Sequence, residues 1–208
     1  MTWSFRSVTG EGKQPAQVDG FRGTLLIVGG GRCVFDDLQK FCGAGDGILN
    51  GVRRWQGEEG NDVCAVNDIG VNMTVPLAHW ASLHSNRLHH WAALRKLEGL
   101  PSEGLQLHTD LRRGVSTIKN EWSSVPNFGG LSGLFAMIIG VLMGYDMVVL
   151  AGVPTDGNGR FYDPPDSGGV HGERSIIGAW EEAMNCYPDM ASYCRSMSGY
   201  TCEILGGP

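Results

Sequence analysis

The chain reads as an α/β protein: a three-layer fold with a mostly parallel sheet of roughly five to six strands and a lid-like loop. Three observations predict it. Thr24–Val28 and Met147–Val153 are unbroken apolar runs. They lack the alternation of a strand with one wet face, as expected of parallel strands covered on both sides. Strand-like runs alternate with helix-like ones along the chain. Several strands also end in glycines or polar pairs, and doubly wound folds hold their ligands beyond the carboxyl ends of their strands.

Composition sets the outer bounds. The 208 residues suffice for one sizeable core, with 42% hydrophobic and 18% charged residues and 32 glycines. Residues 1–22 are polar and glycine-rich and are expected to form a mobile leader, followed by a single domain over residues 23–208. The formal charge of −6 argues against a broad nucleic-acid face. The six cysteines form no CxxC pair and read as reduced, mostly buried thiols. The first twenty residues lack the apolar core of a signal peptide. Leu134–Met143 falls short of the roughly 20 apolar residues that span a bilayer. No membrane span and a cytoplasmic location are the expectation.

The elements follow in order. The strand Thr24–Val28 runs into Gly29-Gly30-Gly31-Arg32 and then a short helix, Val34–Phe41. Consecutive glycines after a strand let backbone approach a phosphate, and the helix N-terminus favours its charge. GxGxxG is incomplete, because Val34 stands at its third glycine. A plain glycine turn is the other reading. Cys42–Asn61, with Arg53 and Arg54, reads as a surface excursion. Asp62–Val66 is a second buried strand ending at Asn67-Asp68. Asn67 is a candidate for hydrogen-bonding a base or ribose, and Asp68 suits a helix cap. His79–Leu83 is a third strand with His84 at its end, followed by a helix Arg87–Glu98 whose apolar set is Leu88, Trp91, Leu94 and Leu97. His79, His84, His89 and His90 meet no HExxH pattern, so no metal site is assigned. Leu105–His108 is a fourth strand, with His108 at its ligand end and a locally basic stretch behind it.

Phe128–Asp156 is the most apolar unit: a helix opening at Ser132-Gly133, with Ser132 as its cap, a stop at Gly144, and a buried strand. Its exit loop delivers Asp156 and runs on through Tyr162 to His171. Such a long aperiodic connection, about residues 154–172, suits a lid. A helix Ser175–Asn185, a second helix after Pro188 and a last strand Tyr200–Leu205 close the chain.

Taken together, the strand ending in GGG, the AVND strand end at Ala65–Asp68, the SGLFA helix start at Ser132–Ala136 leading into GYDMVVLAGV, and the loop ending at His171 before a helix bearing Trp180 resemble the bacterial CMP-sialic-acid-dependent sialyltransferases. They also resemble the related MptE-like proteins, many of them phage-encoded. The resemblance runs over residues 24–205 and is tightest at Ser132–Val153. It implies a Rossmann-like domain in which Gly29–Gly31 and Asn67 contact the CMP moiety, Ser132 stands at the helix start, Tyr162 belongs to the lid and His171 is the general base. The sequence departs from that pattern at Arg32-Cys33, where the family has a Pro-Ser pair.

The chemistry this implies is metal-independent transfer from a CMP-type nucleotide sugar, a substrate and not a tightly bound cofactor. Gly30, Gly31, Ser132 and Gly133 would stabilise the leaving phosphate. His171 would take the acceptor proton, with His84 and His108 as further candidates. The nucleotide-binding set is thus Gly29, Gly30, Gly31, Arg32, Asn67, Asp68, His108, Ser132, Gly133 and Tyr162, and the catalytic set His171, His84 and Asp156. A non-catalytic nucleotide binder, such as a phage-borne sensor or sponge, is the alternative. A pterin- or NAD-linked enzyme is a third. The partner is a small nucleotide, and a homo-oligomer is compatible with the sequence.

Overall fold

The computed structural model describes residues 22–43, 45, 47–110, 118, 120–122, 125–164 and 173–208. The elements are β1 (Arg22–Val28), α1 (Val34–Cys42), α2 (Ile48–Gln56), β2 (Asp62–Val66), α3 (Ile69–Asn72), β3 (His79–Ala81), α4 (Ser85–Leu97), β4 (Gln106–Thr109), β5 (Asn120–Glu121), α5 (Ser132–Leu142), β6 (Tyr145–Ala151), α6 (Glu173–Cys186), β7 (Cys194–Ser196) and α7 (Gly199–Leu205). A 3-10 turn, Pro188–Ser192, precedes β7.

The strands form one seven-stranded sheet in the order β5-β4-β3-β2-β1-β6-β7. Every pairing in it is parallel. The chain winds outward from β1 to β5, returns through α5, and lays β6 on the free side of β1. The winding therefore reverses between β1 and β6, and the carboxyl ends of these two strands flank the crevice where open α/β sheets take their ligands.

Side-chain alternation builds the three layers. In β1, Leu25 and Ile27 pack under α5 and α6, with Leu134, Met137, Ile138 and Trp180. Leu26 and Val28 point the other way, against Val34, Leu38, Val52, Ile69 and Leu88 of α1 to α4. All four β1 residues are fully buried, and each such burial is worth roughly 1.5–3 kcal/mol. This is why the run carries no polar residue. Among the described residues no helix is long and apolar enough to cross a membrane.

Four expectations need correction. The sheet has seven strands, not five or six, because β5 and β7 span only two and three residues. Residues 42–61 are not a surface excursion. α2 lies within them and packs Val52 into the core, and a Cβ on Gly51 would stand 2.7 Å from that of Cys42, so only glycine permits this approach. Tyr200–Leu205 lies in helix α7, with Thr201 and Leu205 buried at a helical spacing, and the strand is the preceding Cys194–Ser196. Ser132 does not cap α5; the N-cap position is Leu131, and the Ser132 hydroxyl accepts from the Leu83 amide at 3.2 Å. Gly144 does close this helix, at φ 86°.

The inward stripe of α4 also differs from the expected Leu88, Trp91, Leu94 and Leu97. A three-residue step drifts off a 3.6-residue helix, and Leu97 ends 81% exposed. The buried position one turn beyond Trp91 and Ala92 is Arg95, fully enclosed. Its guanidinium donates to the carbonyls of Pro101 (3.0 and 2.7 Å), Gly70 (2.7 Å), Met73 (2.5 Å) and Val75 (2.6 Å). It thus ties α3 and the approach to β3 onto α4. Arg95→Ala leaves these buried carbonyls without partners, at about 1–3 kcal/mol each. Urea unfolding should show a loss above about 3 kcal/mol, and Arg95→Lys, with fewer donors, a smaller one. A loss below 1 kcal/mol for Arg95→Ala would show that water replaces the clamp.

Candidate functional site

The crevice floor is backbone. The Gly29 amide donates to Ala151 O at 2.8 Å and the Gly31 amide to Gly152 O at 2.9 Å, extending the β1–β6 ladder past the strand ends. The two turns touch so closely that a Cβ on Gly29 would lie 2.5 Å from Gly152 O, and one on Gly152, at φ 68°, 2.4 Å from Gly29 O. Two of the amides expected to cradle phosphate are therefore engaged within the protein. Gly30 differs: a Cβ there meets no atom within 4 Å, so its Cα faces open space.

The β6 exit loop is held from both ends. At its start, the Gly152 amide donates to Asp37 Oδ2 at 2.8 Å, and the same oxygen accepts from the Ser198 hydroxyl at 2.8 Å. Asp37 is 1% exposed. Further on, Arg160 pairs with Gly31 as an antiparallel bridge, and the Phe161 amide donates to Gly30 O at 3.0 Å. Arg32 donates to the carbonyls of Asn158 and Pro164. The loop thus lies along the glycine turn.

A polar cluster stands beside it at the end of β2. Arg160 Nη1 bonds Asp68 Oδ2 at 2.6 Å, and the Tyr162 hydroxyl donates to the same oxygen while accepting from Arg160. Asp68 occupies the N-cap position of α3 but makes no side-chain cap bond, its carboxylate turning instead to the loop. Burial alone would lower the Arg160 pKa; the Tyr162 hydroxyl and the Asp68 charge reverse this and hold it above its ordinary value. Burial and the bond to Asp68 raise that of Tyr162. An edge-to-face row of Phe35, Phe161 and Tyr162, with centroids 5.3 and 5.0 Å apart, borders the cluster. Phe35 and Tyr162 are exposed, at 42% and 47%.

Among the described residues only two non-glycines adopt a left-handed backbone, Asn67 (φ 56°) and Thr155 (φ 57°). Each follows the carboxyl end of a central strand, and backbone strain of this kind gathers at functional sites. Asn67 Oδ1 accepts from the Ser82 hydroxyl at 2.8 Å, and Ser82 Oγ accepts from the His84 amide at 3.0 Å. With Ser132 bonded to Leu83, these residues form one lattice at the ends of β2 and β3. Gly133 packs on Val153. Asp156 is exposed and its carboxylate accepts from the Asn158 amide at 3.0 Å. His171 and the lid beyond residue 164 lie outside the described residues.

His108 is placed elsewhere than expected. It is 1% exposed on the α5 side of the sheet, where the Trp122 indole donates to its Nδ1 at 3.1 Å. Its Nε2–H therefore donates to His79 Nδ1 (3.0 Å), and His79 Nε2–H to the Tyr145 oxygen (2.8 Å). The Tyr145 hydroxyl in turn donates to Asp62 at 2.5 Å. Every ring nitrogen of the two histidines has a protein partner. His108 therefore reaches neither the crevice nor a ligand there. The Cys33 Sγ lies 3.1 Å from the Ser198 hydroxyl oxygen. Burial, opposed by that contact but aided by Asp37, pushes its thiol up to about 12, so it is no nucleophile at neutral pH.

Sequence reasoning brought together Gly29 to Arg32, Asn67, Asp68 and Tyr162, which do converge on this edge. It missed Arg160 and Asp37. No group of three or more His, Cys, Asp or Glu suited to a metal occurs among the described residues. Comparison with known proteins finds no matching family model, and no similar curated protein or solved structure.

The histidine chain has a pH consequence. Burial, then the neighbouring His79, lowers the His108 pKa to about 3. The unfolded chain takes up this proton near pH 6.5 and the native one does not. The stabilisation is complete above pH 6.5 and declines as pH falls toward 3, by up to about 1.4 kcal/mol per pH unit. Urea unfolding between pH 6.5 and 5 should show this slope, and His108→Asn should flatten it. An unchanged slope would place the titration elsewhere.

Proposed function

We propose that the protein binds a CMP-type nucleotide on the carboxyl edge of the sheet, over Gly30 and beside Asp68, as the donor of a metal-independent glycosyl transfer. The observation that carries this is the juxtaposition at the winding reversal: an open glycine after β1 next to a carboxylate just past β2. A ribose needs hydroxyl acceptors one strand away from the turn that meets its phosphate, and Asp68 stands there. The exposed aromatic row supports stacking of a base. His171 remains the base that the family resemblance implies, with His84 closer to the crevice than His108.

A second reading, a nucleotide binder without transfer, is favoured by one observation. The Gly31 amide, one of those that would stabilise a departing phosphate, already bonds the β6 exit, as does that of Gly29. The same observation weighs against NAD, whose pyrophosphate relies on such amides.

Thermal shift with CMP, CDP, UDP, GTP, NAD and pterins tests the reading. A ligand at a hundredfold excess over Kd stabilises by about 2.7 kcal/mol, a rise of roughly 5–10 °C. CMP and CDP should give it and NAD should not. Stabilisation by NAD alone, or by none of the panel, would overturn the proposal. CMP release from CMP-sialic acid then separates transferase from binder, and His171→Ala should abolish it while CMP binding persists.

A further inference from the structure

The Asp68 carboxylate is available to a ligand only if Arg160 and Tyr162 release it. Both bond its Oδ2, and Arg160 sits on the segment whose backbone bridges Gly31. The Phe161 amide, next in sequence, is the one that bonds Gly30 O. A nucleotide resting on the open side of Gly30 with its ribose at Asp68 therefore has to break the ion pair.

We propose that Arg160 is a latch: it holds the loop on the glycine turn by pairing with Asp68, and on ligand entry transfers to the ligand's phosphate. The inference rests on the nucleotide reading and adds to it a substrate class, phosphorylated nucleosides in preference to free ones. Three observations carry it. The Arg160 and Asp68 side chains are 38% and 24% exposed, accessible enough to exchange partners. The bridge between Arg160 and Gly31 fixes the Arg160 backbone beside the turn that a phosphate would approach. The engaged Gly29 and Gly31 amides leave the phosphate in need of another donor, and a guanidinium meets phosphate oxygens with paired, charge-assisted bonds.

Selectivity follows from charge balance. A nucleoside that takes Asp68 leaves Arg160 without a counter-ion. A nucleoside monophosphate gives Arg160 a new anion as it removes the old one, so one ion pair replaces another. No covalent step is involved.

The test compares wild type, Arg160→Ala and Arg160→Lys by calorimetric titration with CMP and with cytidine, and by hydrogen exchange at the Phe161 amide without ligand. Arg160→Ala should weaken CMP by about tenfold or more, the loss of one bond to a charged group, while cytidine binds equally or more tightly. Arg160→Lys, which keeps the charge without the fork, should give an intermediate preference. The Phe161 amide should exchange faster in Arg160→Ala, by up to about fivefold, since its bond to Gly30 loses the partly exposed ion pair that supports it. Equal weakening of CMP and cytidine would overturn the phosphate role, and unchanged Phe161 exchange would overturn the latch. Failure of both ligands to bind wild type would remove the nucleotide reading and the phosphate role together. The exchange measurement needs no ligand and decides the latch in that case too.

Discussion

The pairing of β1 with β6 is the constraint on which the rest depends. These strands are far apart in sequence, yet they are matched from Arg22 with Tyr145 to Val28 with Ala151. Their backbones then stay in contact through Gly29 and Gly152, where any side chain would collide with a carbonyl. This closure fixes the floor of the crevice. It also decides its chemistry, because it engages the Gly29 and Gly31 amides. The usual logic of a glycine turn, backbone presented to phosphate, is here diverted to backbone presented to backbone. What remains open is Gly30, and what remains charged is on the loop and at Asp68.

The interior carries more polarity than a parallel α/β core needs, and two buried networks absorb much of it. Arg95 saturates four carbonyls around α3. The chain from Trp122 through His108, His79 and Tyr145 to Asp62 runs donor to acceptor without interruption and ends on a carboxylate. Such networks specify one packing, because any register slip leaves a buried donor or acceptor unpaired. They also explain why His108, a candidate base from its place at a strand end, is held in the interior.

The parts of the fold legible in the sequence are those where burial is continuous. β1, β2 and the α5–β6 unit show as apolar runs because both sheet faces are covered. α2 was hidden because glycines dominate its surroundings, and Gly51 reports a close helix contact, not a loop. β5 and β7 were hidden because two or three residues carry no period. At the site, position along strands was informative: Asn67, Asp68 and the glycine turn lie at the carboxyl ends of β2 and β1. Arg160 was invisible because its importance comes from a bridge to Gly31, more than a hundred residues earlier. His108 misled because alternation tells which face a side chain takes, not what waits there.

The two tethers of the β6 exit loop differ in kind, and this difference says where the loop can move. Gly152 is bound to Asp37, buried and shared with Ser198, and moving it would break the β1–β6 closure. Arg160 is bound to Asp68 in partial contact with solvent, where an ion pair contributes about 0–1 kcal/mol and exchanges readily. Between them lies Thr155, in a left-handed backbone that costs a non-glycine residue of order 1 kcal/mol. A root fixed by Asp37, a left-handed residue in the middle and a partly exposed ion pair at the tip place any opening of the segment on its Arg160 side, where release of the guanidinium would free the Asp68 carboxylate.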